Sequence, residues 1–150
     1  MRHILCFGNP LHGDDGFGVA VYQRLARLPL PENLRIFDAG TPGLAALLLF
    51  QGCDEAIIVD AGAPAGEPGR LGRPLPETVM AEASLAGHGM GVGYLLHALA
   101  ALPEPMPRIQ IVTAEIAAAT PFRPGLSSAA ARAVDETVAL LSPYFLNHTA

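Results

Sequence analysis

Residues 8 to 18 read GNPLHGDDGFG and follow directly on the apolar run from His3 to Phe7. An apolar run that stops at a glycine and restarts as a helical pattern is how an α/β protein presents polar groups at the carboxyl edge of its sheet, where such folds bind ligands. The stretch therefore predicts a strand before it, a helix after it, and two carboxylates, Asp14 and Asp15, in the turn between them.

The same alternation continues along the chain. Leu34 to Phe37, Ala56 to Val59 and Ile109 to Val112 repeat the short apolar character of the first run and read as parallel strands. Between them Phe17, Val19, Ala20, Val21, Leu25 and Leu28 recur at helical spacing, as do Leu44, Leu47, Leu48 and Phe50, then Val92, Leu95, Leu96 and Leu99. A last helix is expected over Ser127 to Leu141, with Ser127 or Ser128 as N-cap and Pro143 just beyond its end. The Gly- and Pro-rich stretch Gly62 to Glu77 contains Arg70-Leu71-Gly72-Arg73-Pro74-Leu75, a short edge strand ended by proline. The expected fold is a three-layer α/β/α sandwich around a mostly parallel five-stranded sheet with one short antiparallel edge strand.

Composition sets the outer limits. A chain of 150 residues with 51% hydrophobic residues and positive mean hydropathy suits one domain over residues 1–150 with a substantial core. A formal charge of −5 and only 9 Lys and Arg leave no basic stripe for phosphates, which disfavours nucleic acid or an anionic membrane as partner. No apolar run approaches the roughly 20 residues of a membrane span, and the first residues enter a strand rather than a signal peptide, so a cytoplasmic protein is expected. Cys6 and Cys53 lack the spacing of a redox or zinc site and are expected as reduced, mostly buried thiols.

On this frame Asp15 follows the first strand, Asp38 ends the second, Asp60 ends the third, and His88 lies in GHGMGVG before the third helix. All four fall at one sheet edge, where loops after neighbouring strands converge. Asp15, Asp60 and His88 make a candidate O,O,N metal set, acceptable to nickel or zinc on ligand chemistry. A helix N-terminus opposes imidazole protonation and keeps His88 in its ligating form. The simpler reading of an acid before a helix is a cap, which is the role expected for Asp14. A phosphate cradle is disfavoured, because the run matches neither GxGxxG nor GxxxxGK[ST] and two aspartates would repel the anion. His3, His97 and His148 read as structural or solvated, Cys6 as inert packing, and Glu115 as a solvated loop residue.

Taken together, these segments resemble the hydrogenase maturation endopeptidases, which trim the large subunit of nickel-iron hydrogenases. GNPLHGDDGFG resembles that family's N-terminal motif, DAGTPG at Asp38 to Gly43 its second-strand loop, IIVDAG at Ile57 to Gly62 its third-strand motif, and GHGMGVGYLL its histidine segment. The family often has glutamate where this chain has Asp15, and TAEIAAATP from Thr113 to Pro121 departs from the shorter segment usual after the last strand. The resemblance implies a nickel-contacting trio of Asp15, Asp60 and His88, with Asp38 and its loop lining the same cleft; Gly8, Asn9, Gly40 and Thr41 are the candidate substrate-cleft residues and Asp38 the candidate catalytic general base. It further implies a cytoplasmic endopeptidase that removes a C-terminal peptide from a nickel-iron hydrogenase large-subunit precursor after nickel insertion. Nickel would arrive on the substrate, and no organic cofactor is expected. Two other classes compete: a non-proteolytic nickel-dependent maturation chaperone, and a stand-alone hydrolase with a resident metal.

Overall fold

The computed structural model describes residues 1–86, 91–117 and 122–146. Its sheet is built from β1 (Arg2–Phe7), β2 (Leu34–Gly40), β3 (Glu55–Gly62), β4 (Leu71–Gly72) and β5 (Arg108–Glu115), in the spatial order β2-β1-β3-β5-β4. The long strands pair in parallel, and β4 runs antiparallel to β5 as the edge. This is the expected five-stranded arrangement, with the two-residue edge strand inside the Arg70 to Leu75 stretch.

Parallel strands joined by crossovers are covered on both faces, which is why the central ones are continuously apolar. Ile4, Cys6, Ile57, Val59 and Val112 alternate onto one face, where they pack with Phe17, Val21 and Leu25 of α1 (Phe17–Leu25) and Ala133, Val134 and Leu141 of α4 (Ser128–Leu141). Leu5, Phe7, Ala56, Ile58 and Ile111 take the other face and pack with Leu95, Leu96 and Leu99 of α3 (Val92–Ala100). Val79 and Met80 of α2 (Pro76–Ala86) complete that second layer. Among the described residues no helix is long and apolar enough to cross a membrane.

Three local readings change. Strands β2, β3 and β5 run beyond their apolar cores to Gly40, Gly62 and Glu115, because backbone pairing continues at the carboxyl edge after the side chains turn polar. Leu44–Phe50 forms 3-10 turns and not the expected α-helix. Between Gly43 and Gly52 the chain has less than the length over which α-helical hydrogen bonds repay nucleation, and the tighter i→i+3 pattern serves instead. Helix α2 was not expected at all, since its small and apolar residues form no one-sided stripe. Its proline start was the available signal, because proline fits the first helical position. Close packing explains its small residues: a β-carbon at Gly93 of α3 would lie 2.5 Å from Ala83 Cβ and 2.6 Å from Val79 O.

Candidate active site

The chain leaves β1 to build β2 on one side and returns to build β3 on the other, so the crossovers diverge between β1 and β3. Open α/β sheets bind ligands in the crevice this divergence leaves at the carboxyl ends of the strands. Asp15 enters it from the 3-10 turn Gly13–Gly16 after β1, and Asp60 from the last residues of β3. Burial pushes the Asp60 carboxyl up from its ordinary value near 3.8 to about 7; the Ala61 N–H that donates to Oδ1 at 2.8 Å pulls the other way, and the negative charge of Asp15 adds to the rise. Two carboxylates that interact in a partly buried crevice favour either a shared proton or a cation.

The glycines of the first motif shape this turn. The chain folds back so that Asn9 N–H donates to Asp15 O at 3.0 Å and Asp15 N–H donates to His12 O at 3.2 Å. A β-carbon at Gly8 would sit 2.4 Å from Asp15 O, and one at Gly18 would sit 1.9 Å from Phe7 O. Only glycine lets the turn and helix α1 approach β1 this closely. Gly8 N–H also donates to Gly40 O at 2.8 Å, and Asn9 Oδ1 accepts from Leu11 N–H at 3.0 Å. Gly8, Asn9 and Gly40 thus belong to one network, with Thr41 exposed immediately after Gly40.

Asp38 is placed differently. It is exposed on β2, opposite Cys6 in register, and its Oδ1 accepts a long hydrogen bond of 3.4 Å from Gly40 N–H. Strand alternation puts Asp38 on the Cys6 face of the sheet and Asp60 on the other. Among the described residues no hydrogen bond joins Asp38 to Asp15 or Asp60. His88 lies outside the described residues, as does His148. Asp15 and Asp60 are therefore the two candidate ligands that the described structure brings together, and it holds no cluster of three metal-binding side chains.

Two acids have roles the sequence did not reveal. Asp14 is no cap of its own helix: it is 3% exposed, and its carboxylate accepts from Ser127 N–H at 2.6 Å, Ser127 Oγ–H at 2.7 Å and Ala117 N–H at 3.2 Å. Ser127 in turn caps α4 by accepting from Ala130 N–H. Asp14 thereby ties the Asp15 turn to the segment between β5 and α4. Glu115, expected in solvent, is buried and accepts from Glu67 N–H at 2.5 Å, pinning the loop after β3. No spacing rule links residues more than forty positions apart in this way.

The remaining candidates behave as packing. His3 is buried and its Nδ1–H donates to Leu49 O at 2.7 Å, while Cys6 is fully buried, its thiol pushed well up by burial and by the charge of Asp38. A cavity of about 540 Å³ lies away from the switch point, between Leu44, Leu47 and Phe50 on one side and Leu99 of α3 with Leu102 just beyond it on the other. Its lining is mostly apolar, with Glu104 and Cys53 among the lining residues.

Comparison with known proteins bears on the family and the fold. The hydrogenase maturation protease family model matches residues 19–143. The hydrogenase expression/formation protein HupD of Bradyrhizobium diazoefficiens is 42% identical over 69 residues, 45% of this chain and 36% of that protein. The matched segment thus spans about a third of that relative's length. The hydrogenase maturating endopeptidase HybD from E. coli superposes with a TM-score of 0.74 at 25% identity over 95% of this chain and 93% of that one. A [NiFe] hydrogenase maturation protease HycI from Thermococcus kodakarensis shares the fold at a TM-score of 0.80 and 21% identity, covering 97% and 92%. Matched over most of its length by the family model, the chain belongs to the hydrogenase maturation protease family.

Proposed function

We propose that this protein is a cytoplasmic endopeptidase that removes the C-terminal extension of a nickel-iron hydrogenase large-subunit precursor after nickel insertion. The observation that carries the reading is the pairing of Asp15 with Asp60 at the switch point, where burial and Asp15 hold the Asp60 carboxyl near 7. A divalent cation relieves that repulsion, and nickel accepts two carboxylate oxygens and an imidazole as ligands. Asp15 and Asp60 would supply the oxygens and His88 the nitrogen. Nickel would polarise a neighbouring carbonyl or water as a Lewis acid.

The metal belongs to the substrate in this reading. A weak three-ligand site gains affinity when cysteine thiolates of the precursor complete the shell, so a nickel-free precursor engages poorly and is left uncut. The chain's own groups then have two tasks. Asp15 and Asp60 grip the nickel-bearing end, and Asp38, exposed at the neighbouring strand end, is the candidate base for the attacking water.

The test is incubation of the purified protein with nickel-loaded and nickel-free precursor, with the C-terminus read by intact mass. Loss of a discrete C-terminal peptide from the loaded form alone is expected. Binding without cleavage would overturn the protease in favour of a chaperone. Stoichiometric metal retained by the protein after dialysis would favour a stand-alone hydrolase.

A further inference from the structure

Phe122 is the one non-glycine among the described residues with a left-handed backbone, at φ 59°. A bulky side chain is strained in that conformation, and such strain persists only where surrounding contacts enforce it. Phe122 is also 82% exposed, more than any other large apolar side chain described. Backbone strain and an unburied ring thus coincide at a single position.

The neighbouring contacts show what enforces this conformation. The ring tilts against the imidazole of His12, with centroids 5.4 Å apart. Gly13 N–H donates to Arg123 O at 2.8 Å, and His12 and Arg123 form an isolated parallel bridge. Asp14 accepts from Ala117 N–H and from Ser127 N–H, at positions before and after Phe122 in the chain. Every one of these clamps comes from the turn that carries Asp15, whose N–H donates to His12 O. The ring is therefore held against the turn that carries Asp15, with most of its surface left open.

We infer that Phe122 is a docking residue for the precursor, an apolar anchor for the peptide flanking the cleaved bond. This rests on the endopeptidase reading above, which supplies the partner. Its position favours that partner: Phe122 is held against the same turn that carries Asp15, which grips the precursor in that reading. Aromatic anchors at the centre of small interfaces carry a large share of binding energy.

The affinity of nickel-loaded precursor for wild type, Phe122→Gly and Phe122→Leu tests this, with thermal unfolding measured alongside. Glycine adopts the left-handed conformation freely, so the loop is kept and the thermal midpoint of Phe122→Gly is unchanged or higher. The Kd of Phe122→Gly is expected to rise about tenfold, with Phe122→Leu largely restoring it. A Phe122→Gly protein that binds within twofold of wild type, while wild type cleaves, would overturn the docking role alone. Wild type that binds with the same Phe122 dependence but does not cleave would overturn the protease reading and leave the docking role standing. Absence of binding by wild type would overturn both.

Discussion

Replacing Asp60 with asparagine should stabilise the metal-free protein, in a way that depends on pH. A carboxyl whose pKa is raised on folding binds its proton more tightly in the folded state, so its contribution to stability is present at low pH and is lost as pH rises through the folded value. For Asp60 that window runs from its ordinary value near 3.8 to about 7. Ionising the group at pH 8 therefore costs the fold as much as roughly 4 kcal/mol, or about 2 to 4 kcal/mol once water reaches the charge. Asparagine keeps an acceptor for the Ala61 N–H and carries no charge next to Asp15. Urea and thermal unfolding with chelator at pH 5 and pH 8 would read the difference. At pH 5, about one unit above the unfolded value, the Asp60→Asn protein should lead by only about 1 kcal/mol. At pH 8 its lead should reach the full amount of about 2 to 4 kcal/mol, a gain of roughly 5 to 15 °C in Tm for a domain of this size. A stability difference that stays constant between the two pH values would refute the reasoning, because it would mean Asp60 ionises as freely in the fold as in the unfolded chain.

Other outcomes follow from the contacts around the site. Asp14→Ala leaves Ser127 N–H, Ser127 Oγ and Ala117 N–H without their acceptor and should cost about 3 kcal/mol in urea unfolding, with Asp14→Asn costing less. Gly18→Ala drives a methyl into Phe7 O and should cost at least about 3 kcal/mol or prevent folding, seen as loss of the cooperative thermal transition. Asp38→Asn should abolish cleavage while leaving binding of nickel-loaded precursor intact; unchanged cleavage by intact mass would remove Asp38 from the chemistry.

Relief of charge repulsion accounts for the opposite demands on Asp60. A group that destabilises the empty fold above neutrality gains most from a cation, which is the usual exchange of stability for function at a binding site. The same logic separates Asp60 from Asp14. Both are shielded carboxylates in or beside the crevice, but Asp14 already accepts three hydrogen bonds, whereas Asp60 is hydrogen-bonded by one backbone N–H and repelled by its neighbour.

Several features were readable in the amino-acid order because they depend on local pattern. Short apolar runs marked the four parallel strands, helical spacing marked α1 and α3, Ser127 and Pro143 marked the ends of α4, and Arg70 to Leu75 held the edge strand. The placement of Asp15 and Asp60 at strand ends was equally local. Tertiary structure alone decided the rest. The strand order β2-β1-β3-β5-β4 puts the crevice between β1 and β3, so that Asp15 meets Asp60 while Asp38 stays across β1 on the other face. Helix α2 exists because its small residues fit against Gly93 of a helix that follows it in the chain. The clamp from Asp14 to Ser127 and the strained, exposed ring of Phe122 join segments about 110 residues apart. Periodicity reports which face of an element is apolar, but it carries no information about which distant donor fills a carboxylate or which loop is held over which turn.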